Sequence, residues 1–92
     1  MKARIDGVEI EYDVRGEGAP LLLLHAFPLG LSMWDAQAEA LSATHRVVRF
    51  DARGFGASAA GDGPLTMERI ADDGALILDH LGIENAVVGG CS

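Results

Sequence analysis

Ala86-Val87-Val88-Gly89-Gly90-Cys91-Ser92 decides how the rest of the chain is read. A short apolar run ending in glycine and then serine is the lead-in of G-x-S-x-G. There the first glycine lets a strand turn sharply into a helix, and the serine oxygen is held exposed at the end of a sheet. Gly90-Cys91-Ser92 supplies the first half of that pattern and makes Ser92 the candidate nucleophile. Read with Gly89 as the first glycine, the same stretch makes the thiol of Cys91 the nucleophile, and both registers are open at this point. A parallel strand buried on both faces needs neighbours, so an apolar run is a poor place for a domain to stop. Residues 1–92 are therefore expected to be the N-terminal part of a single larger domain, with its remaining C-terminal part as a partner.

Outward from this stretch, strands alternate with helices. Val8, Ile10, Tyr12 and Val14 share one side of a run whose other side carries Glu9, Glu11 and Asp13, and Asp6-Gly7 precedes it. That pair between alternating runs predicts an antiparallel hairpin with one wet face. Residues 16–20 break the pattern, and residues 21–24, all leucine, read as a central parallel strand. A loop over residues 25–31 is followed by a helix with Ser32 as its cap and Trp34, Ala38 and Leu41 facing inward. Residues 46–50 predict another strand, and residues 51–64, rich in glycine and alanine, a loop. Thr66 caps a second helix with Ile70, Ala71, Gly74, Ile77, Leu78 and Leu81 on one stripe, ended by Gly82. Residues 86–88 make the last strand. Such alternation implies an α/β fold with right-handed crossovers.

A formal charge of −7 and a pI of about 4.6 give no electrostatic footprint for phosphate backbones or anionic lipid. Neither nucleic acid nor membrane is an expected partner, and the longest aliphatic run, residues 21–24, is far below the roughly 20 residues a bilayer requires. A cytoplasmic location is expected. One cysteine cannot build a disulfide framework. No cluster of His or Cys has metal-ligand spacing and no G-x-G-x-x-G follows the first parallel strand, so neither metal nor other cofactor is expected.

Taken in order, the hairpin, His25-Ala26-Phe27-Pro28, the run Asp51-Ala52-Arg53-Gly54-Phe55-Gly56-Ala57-Ser58, and Gly90-Cys91-Ser92 resemble the α/β-hydrolase family over essentially the whole chain. Leu31-Ser32-Met33-Trp34-Asp35-Ala36-Gln37 and Ala71-Asp72-Asp73 look most like its 3-oxoadipate enol-lactonase, esterase and lactonase branch. The resemblance implies strand order 1-2-4-3-5 and a serine hydrolase that cleaves carboxylic esters or lactones, small-molecule substrates, through an acyl-enzyme. It implies Ser92 as nucleophile and the Phe27 backbone N–H as an oxyanion-hole donor, with the acid and histidine of the triad beyond residue 92. His25 becomes a loop brace rather than the base, and Pro28 a candidate to follow a cis peptide, while Asp51, Arg53 and Ser58 read from the residues themselves as a structural group, with Gly54 and Gly56 making backbone turns and Arg53 tying loops together. Ala26 stands where the family usually has glycine. Phe27, Leu29 and Trp34 are candidates to line an apolar substrate pocket, although helical spacing also suits Trp34 to the core. Cofactor-free haloperoxidases of the same fold share the triad, and a non-catalytic binding module of this fold is the alternative from another class.

Overall fold

The computed structural model of the chain describes residues 1–61 and 63–90. Asp6 and Gly7 take φ values of +46° and +83°, the tight turn that the Asp-Gly pair favours. Strand β1 (Lys2–Ile5) accordingly folds straight back on β2 (Val8–Arg15), with Ile5 opposite Val8 and Ala3 opposite Ile10. Strand β3 (Ala19–Leu24) takes in Ala19 and Pro20, which the sequence reading left in the preceding break. Proline is tolerated there because it lies near the start of the strand, where little ladder bonding is lost.

A 3-10 turn, Leu31–Trp34, leads into helix α1 (Asp35–Leu41), and strand β4 (His45–Phe50) follows. Ser32 does not cap this segment, contrary to expectation: the turn starts after Gly30, the helix after Trp34, and neither has a capping bond from its own side chain. A carboxylate from a distant loop does that work instead. Asp51 Oδ1 accepts the Leu31 N–H at 2.7 Å, and an ionised acceptor satisfies an orphan donor better than a hydroxyl.

Thr66 does cap helix α2 (Met67–His80), its Oγ1 accepting the Arg69 N–H at 3.1 Å. Gly82 follows the helix with φ +73°. The buried stripe is Ile70, Asp73, Gly74 and Ile77, whereas Ala71 is exposed. A Cβ on Gly74 would sit 3.1 Å from Leu22 Cδ2 and 3.5 Å from Phe50 Cε1, so the glycine lets the helix backbone lie directly on the sheet. Strand β5 (Val87–Gly90) runs two residues past the expected end at Val88.

The sheet has five strands in the order β1-β2-β4-β3-β5, as the resemblance implied, with β3 parallel to both β4 and β5. Alternation along the strands sorts the core into two layers. Ile10, Tyr12, Leu22, Val48 and Phe50 pack with Ile70 and Ile77 of α2, while Leu23 and Val47 pack with Ala38 of α1. The helices thus cover opposite faces of the sheet.

Asp73, on α2, is fully buried beside this core. Its Oδ2 accepts Arg53 Nε at 2.7 Å, its Oδ1 accepts Arg53 Nη2 at 2.9 Å and Arg69 Nη2 at 2.8 Å, and Arg53 Nη2 also reaches the Ile5 carbonyl at 3.0 Å. One carboxylate therefore ties the helix, the β4–α2 loop and the hairpin together. Its removal leaves guanidinium charge uncompensated, so Asp73→Ala is expected to lower the unfolding free energy of the whole protein by about 3–5 kcal/mol. Urea denaturation checks this; a loss below about 1 kcal/mol, the value of an exposed pair, contradicts it.

Candidate active site

Leu24 stands level with Phe50 on one side and with Gly90 on the other, so three parallel strands reach the same edge of the sheet together. In open α/β sheets this edge is where ligands bind. Gly90, not Val88, is the β5 residue at that level, which corrects the expected end of the strand. Cys91 and Ser92, which carry the nucleophile expectation, lie outside the described residues. What the structure describes here is the loop leaving β3 and the loop leaving β4.

The β3 loop is held by its histidine. His25 is buried, and its Nε2 receives the Ala52 N–H at 2.9 Å. A backbone N–H only donates, so Nε2 carries the lone pair and the ring proton sits on Nδ1. From there it donates to the Ala26 carbonyl at 3.0 Å. Both ring nitrogens are thus engaged in bracing, the role expected of His25, and the lone pair that a base would need is already used. The Ala26 carbonyl also accepts the Leu29 N–H at 2.9 Å.

These two bonds orient the next peptide. Among the described residues Phe27–Pro28 is the cis bond, so the Ala26–Phe27 peptide is trans, and in a trans peptide the N–H points away from the C=O. With the Ala26 carbonyl drawn back toward His25 and Leu29, the Phe27 N–H faces the opposite way. It donates to no group among the described residues.

The β4 loop is strapped to the same structure. The Asp51 carboxylate accepts from Leu31 N at 2.7 Å and Ala57 N at 2.9 Å, and Ser58 Oγ donates to the Asp51 carbonyl at 2.6 Å while accepting the Glu11 N–H at 2.8 Å. Gly56, at φ +52°, lies so close to this carboxylate that a Cβ there would collide with it. Asp51 and Ser58, with Arg53 on Asp73, form the structural group that the sequence suggested.

Apolar rings line the loops. Phe27 packs on Phe55 at 4.9 Å between centroids, and His25 meets each edge-on at 5.9 Å. Phe27 and Leu29 remain 46% and 51% exposed, so the loop that carries the Phe27 N–H presents an apolar surface. Trp34 packs instead against Leu23, Ala38 and Val47 under α1, the core position its helical spacing suggested.

Sequence reasoning missed Arg49, although a cation within Val47-Val48-Arg49-Phe50 needs partners if that strand is buried. Arg49 is 1% exposed and donates through Nη2 to Asp13 at 2.6 Å and through Nη1 to Asp35 at 2.7 Å and the Leu31 carbonyl at 3.1 Å. It therefore fixes the base of the turn that follows the β3 loop. Burial by itself raises the Asp13 carboxyl, but hydrogen bonding and charge from Arg49, helped by Arg15, outweigh it and hold the group below its usual value. Burial likewise disfavours the Arg49 cation, and Asp13 and Asp35 more than offset it. Among the described residues no group of three or more His, Cys, Asp or Glu side chains is placed to hold a metal, and no helix is long and apolar enough to cross a membrane.

Comparison with known proteins agrees with this architecture. A family model described as the alpha/beta hydrolase fold matches residues 19–92. The crystal structure of the enol-lactonase from Burkholderia xenovorans LB400 superposes on all of this chain and 37% of its own, with a TM-score of 0.94 and 36% identity. A thermophilic esterase from Thermogutta terrifontis superposes on 100% of this chain and 36% of its own, with a TM-score of 0.91 and 41% identity. A non-heme haloperoxidase of Rhodococcus erythropolis is 38% identical over 83 residues, 89% of this chain and 30% of that protein. The chain thus spans about a third of the length of relatives it matches.

The Asp13–Arg49 pair gives a pH signature with a definite sign. Because the folded carboxyl is held below its unfolded value of about 3.9, the stability it contributes is complete above that pH and is lost as pH falls through the folded value. Asp13→Asn should be less stable than wild type at pH 7, and the gap should close on acidification below about pH 4. Thermal denaturation across that range checks it; a gap that stays constant with pH contradicts it.

Proposed function

The chain belongs to the alpha/beta hydrolase fold family, and on that premise we propose that it supplies the nucleophile and one oxyanion donor of a serine hydrolase acting on carboxylic esters or lactones. Ser92 attacks the substrate carbonyl, the Phe27 N–H stabilises the oxygen as it gains charge, and an acyl-enzyme forms and is hydrolysed. The triad acid and histidine come from residues outside these 92, in the remainder of the same domain. The enol-lactonase and the esterase that superpose on the chain support the substrate class. A serine at position 92 separates this chemistry from relatives of the fold that place an aspartate at the elbow.

What supports the reading is the Phe27 N–H in the loop that follows Leu24, oriented by the bonds to the Ala26 carbonyl and without an acceptor among the described residues. A donor held in place before the reaction costs no reorganisation during it, and loss of one such donor typically costs about 2.7–4 kcal/mol of transition-state stabilisation. Phe27 and Leu29 offer apolar surface for the acyl or ring portion of a substrate.

A second reading, a cofactor-free haloperoxidase or perhydrolase, is supported by the similarity to the Rhodococcus protein. It keeps the same nucleophile and donor and differs in whether peroxide or water takes the acyl group. In the whole protein Ser92→Ala should remove turnover of short-chain aryl esters, a loss on the order of 10⁶-fold, together with labelling by a fluorophosphonate. Cys91→Ala should leave both intact. The reverse pattern transfers the nucleophile to Cys91, and peroxide-dependent bromination exceeding ester turnover favours the second reading.

A further inference from the structure

The Ala26 amide has an unusual acceptor. Its N–H donates to the thioether sulfur of Met33 at 3.1 Å, and Ala26 is 8% exposed, so the sulfur stands where water or a carbonyl would otherwise serve. From this contact we propose that Met33 is a positioning residue for the oxyanion donor, an inference that rests on the serine-hydrolase reading above.

Ala26 is gripped on both sides. The peptide plane before it is held through the N–H on Met33 Sδ, and the plane after it through the carbonyl that accepts from His25 Nδ1 and Leu29 N. Fixing both planes fixes the two soft dihedrals of Ala26, and with them the direction of the Phe27 N–H. The carbonyl bonds come from within residues 25–29 and set the shape of the loop. Met33 lies on the 3-10 turn, whose first residue is tied through its N–H to Asp51 and through its carbonyl to Arg49. The sulfur therefore anchors the loop to a fixed part of the scaffold, opposite the His25–Ala52 bond.

A thioether suits the task. It accepts weakly and donates nothing, and its unbranched chain reaches into an irregular space. It satisfies a buried amide without placing a carboxylate charge beside a developing negative charge, which such a group would repel. In this proposal the sulfur acts through the Ala26 amide alone.

The test compares Met33→Leu, which keeps apolar volume and loses the acceptor, with Met33→Gln, whose carbonyl restores an acceptor at similar reach, both in the whole protein. Met33→Leu should lower kcat on a short-chain aryl ester roughly tenfold with KM nearly unchanged, since a small displacement of a catalytic group is felt in the transition state rather than in binding. Exchange of the Ala26 amide with deuterium should speed up in the same variant. Met33→Gln should recover most of the lost kcat and slow that exchange again. Unchanged kcat and unchanged Ala26 exchange in Met33→Leu overturn the proposal, as does activity retained in Met33→Leu but lost in Met33→Gln, the pattern of a packing role. A wild-type protein with neither ester turnover nor fluorophosphonate labelling overturns the hydrolase reading instead, and the exchange measurement, which needs no activity, tells the two failures apart.

Discussion

The hydrogen bond from the Ala52 N–H to His25 Nε2, 2.9 Å long and buried, is the constraint on which the candidate site depends. It joins the ends of adjacent parallel strands and forces the imidazole proton onto Nδ1. That proton holds the Ala26 carbonyl, and the held carbonyl leaves the Phe27 N–H facing away from its own loop. A single tautomer, set by a backbone amide in the loop after β4, thus determines the direction of a peptide group two residues further along. The Asp51 carboxylate works in parallel, fastening Leu31 and Ala57 across the same edge. A donor aimed by such a frame is preorganised, which is the property that electrostatic stabilisation of an oxyanion requires.

Buried charge underlies this frame. Arg49 and Asp73 are among the most enclosed side chains, and each bridges three separate segments: Arg49 joins β2, the 3-10 turn and α1, while Asp73 joins α2, the β4 loop and, through Arg53, the hairpin. Ion pairs of this kind contribute little net stability against apolar replacements of equal volume, because desolvation offsets much of the attraction. They do exclude alternatives, since any displaced arrangement leaves a buried charge or donor unpaired. Their value here lies in holding loops in register at the carboxyl edge of the sheet.

The strands and helices were legible because their determinants are local. Asp6-Gly7 announces the hairpin, Thr66 begins α2, and the run of leucines marks a strand enclosed by two parallel neighbours. Reading failed where the partner is remote. Ser32 looked like a cap, yet the acceptor for the Leu31 N–H at that point is the carboxylate of Asp51, 20 residues beyond Leu31 in sequence, and no local pattern reveals it. Ala19 and Pro20 looked like a break because the glycines before them dominate the local signal, while the pairing with His45 and Arg46 extends the strand. For the candidate site, the bracing role of His25 and the identity of the candidate donor Phe27 could be read from motif order. The Met33 contact could not, since a methionine between Ser32 and Trp34 reads simply as apolar filling. Arg49 and Asp73 left a usable signal, a charge inside an apolar strand and an acid in phase with Ile70 and Ile77, but only the folded chain names their partners.

The account turns on whether the Phe27 N–H receives a developing oxyanion. The most direct measurement is a crystal structure of the whole protein after reaction with an alkyl phosphonate, whose tetrahedral phosphorus imitates the intermediate of ester cleavage. The account predicts a bond to Ser92 and a phosphonyl oxygen within about 3 Å of the Phe27 nitrogen, with the His25–Ala52 hydrogen bond unchanged. An adduct on Ser92 whose oxygen lies on other donors, with the Phe27 N–H turned away from it, contradicts the account.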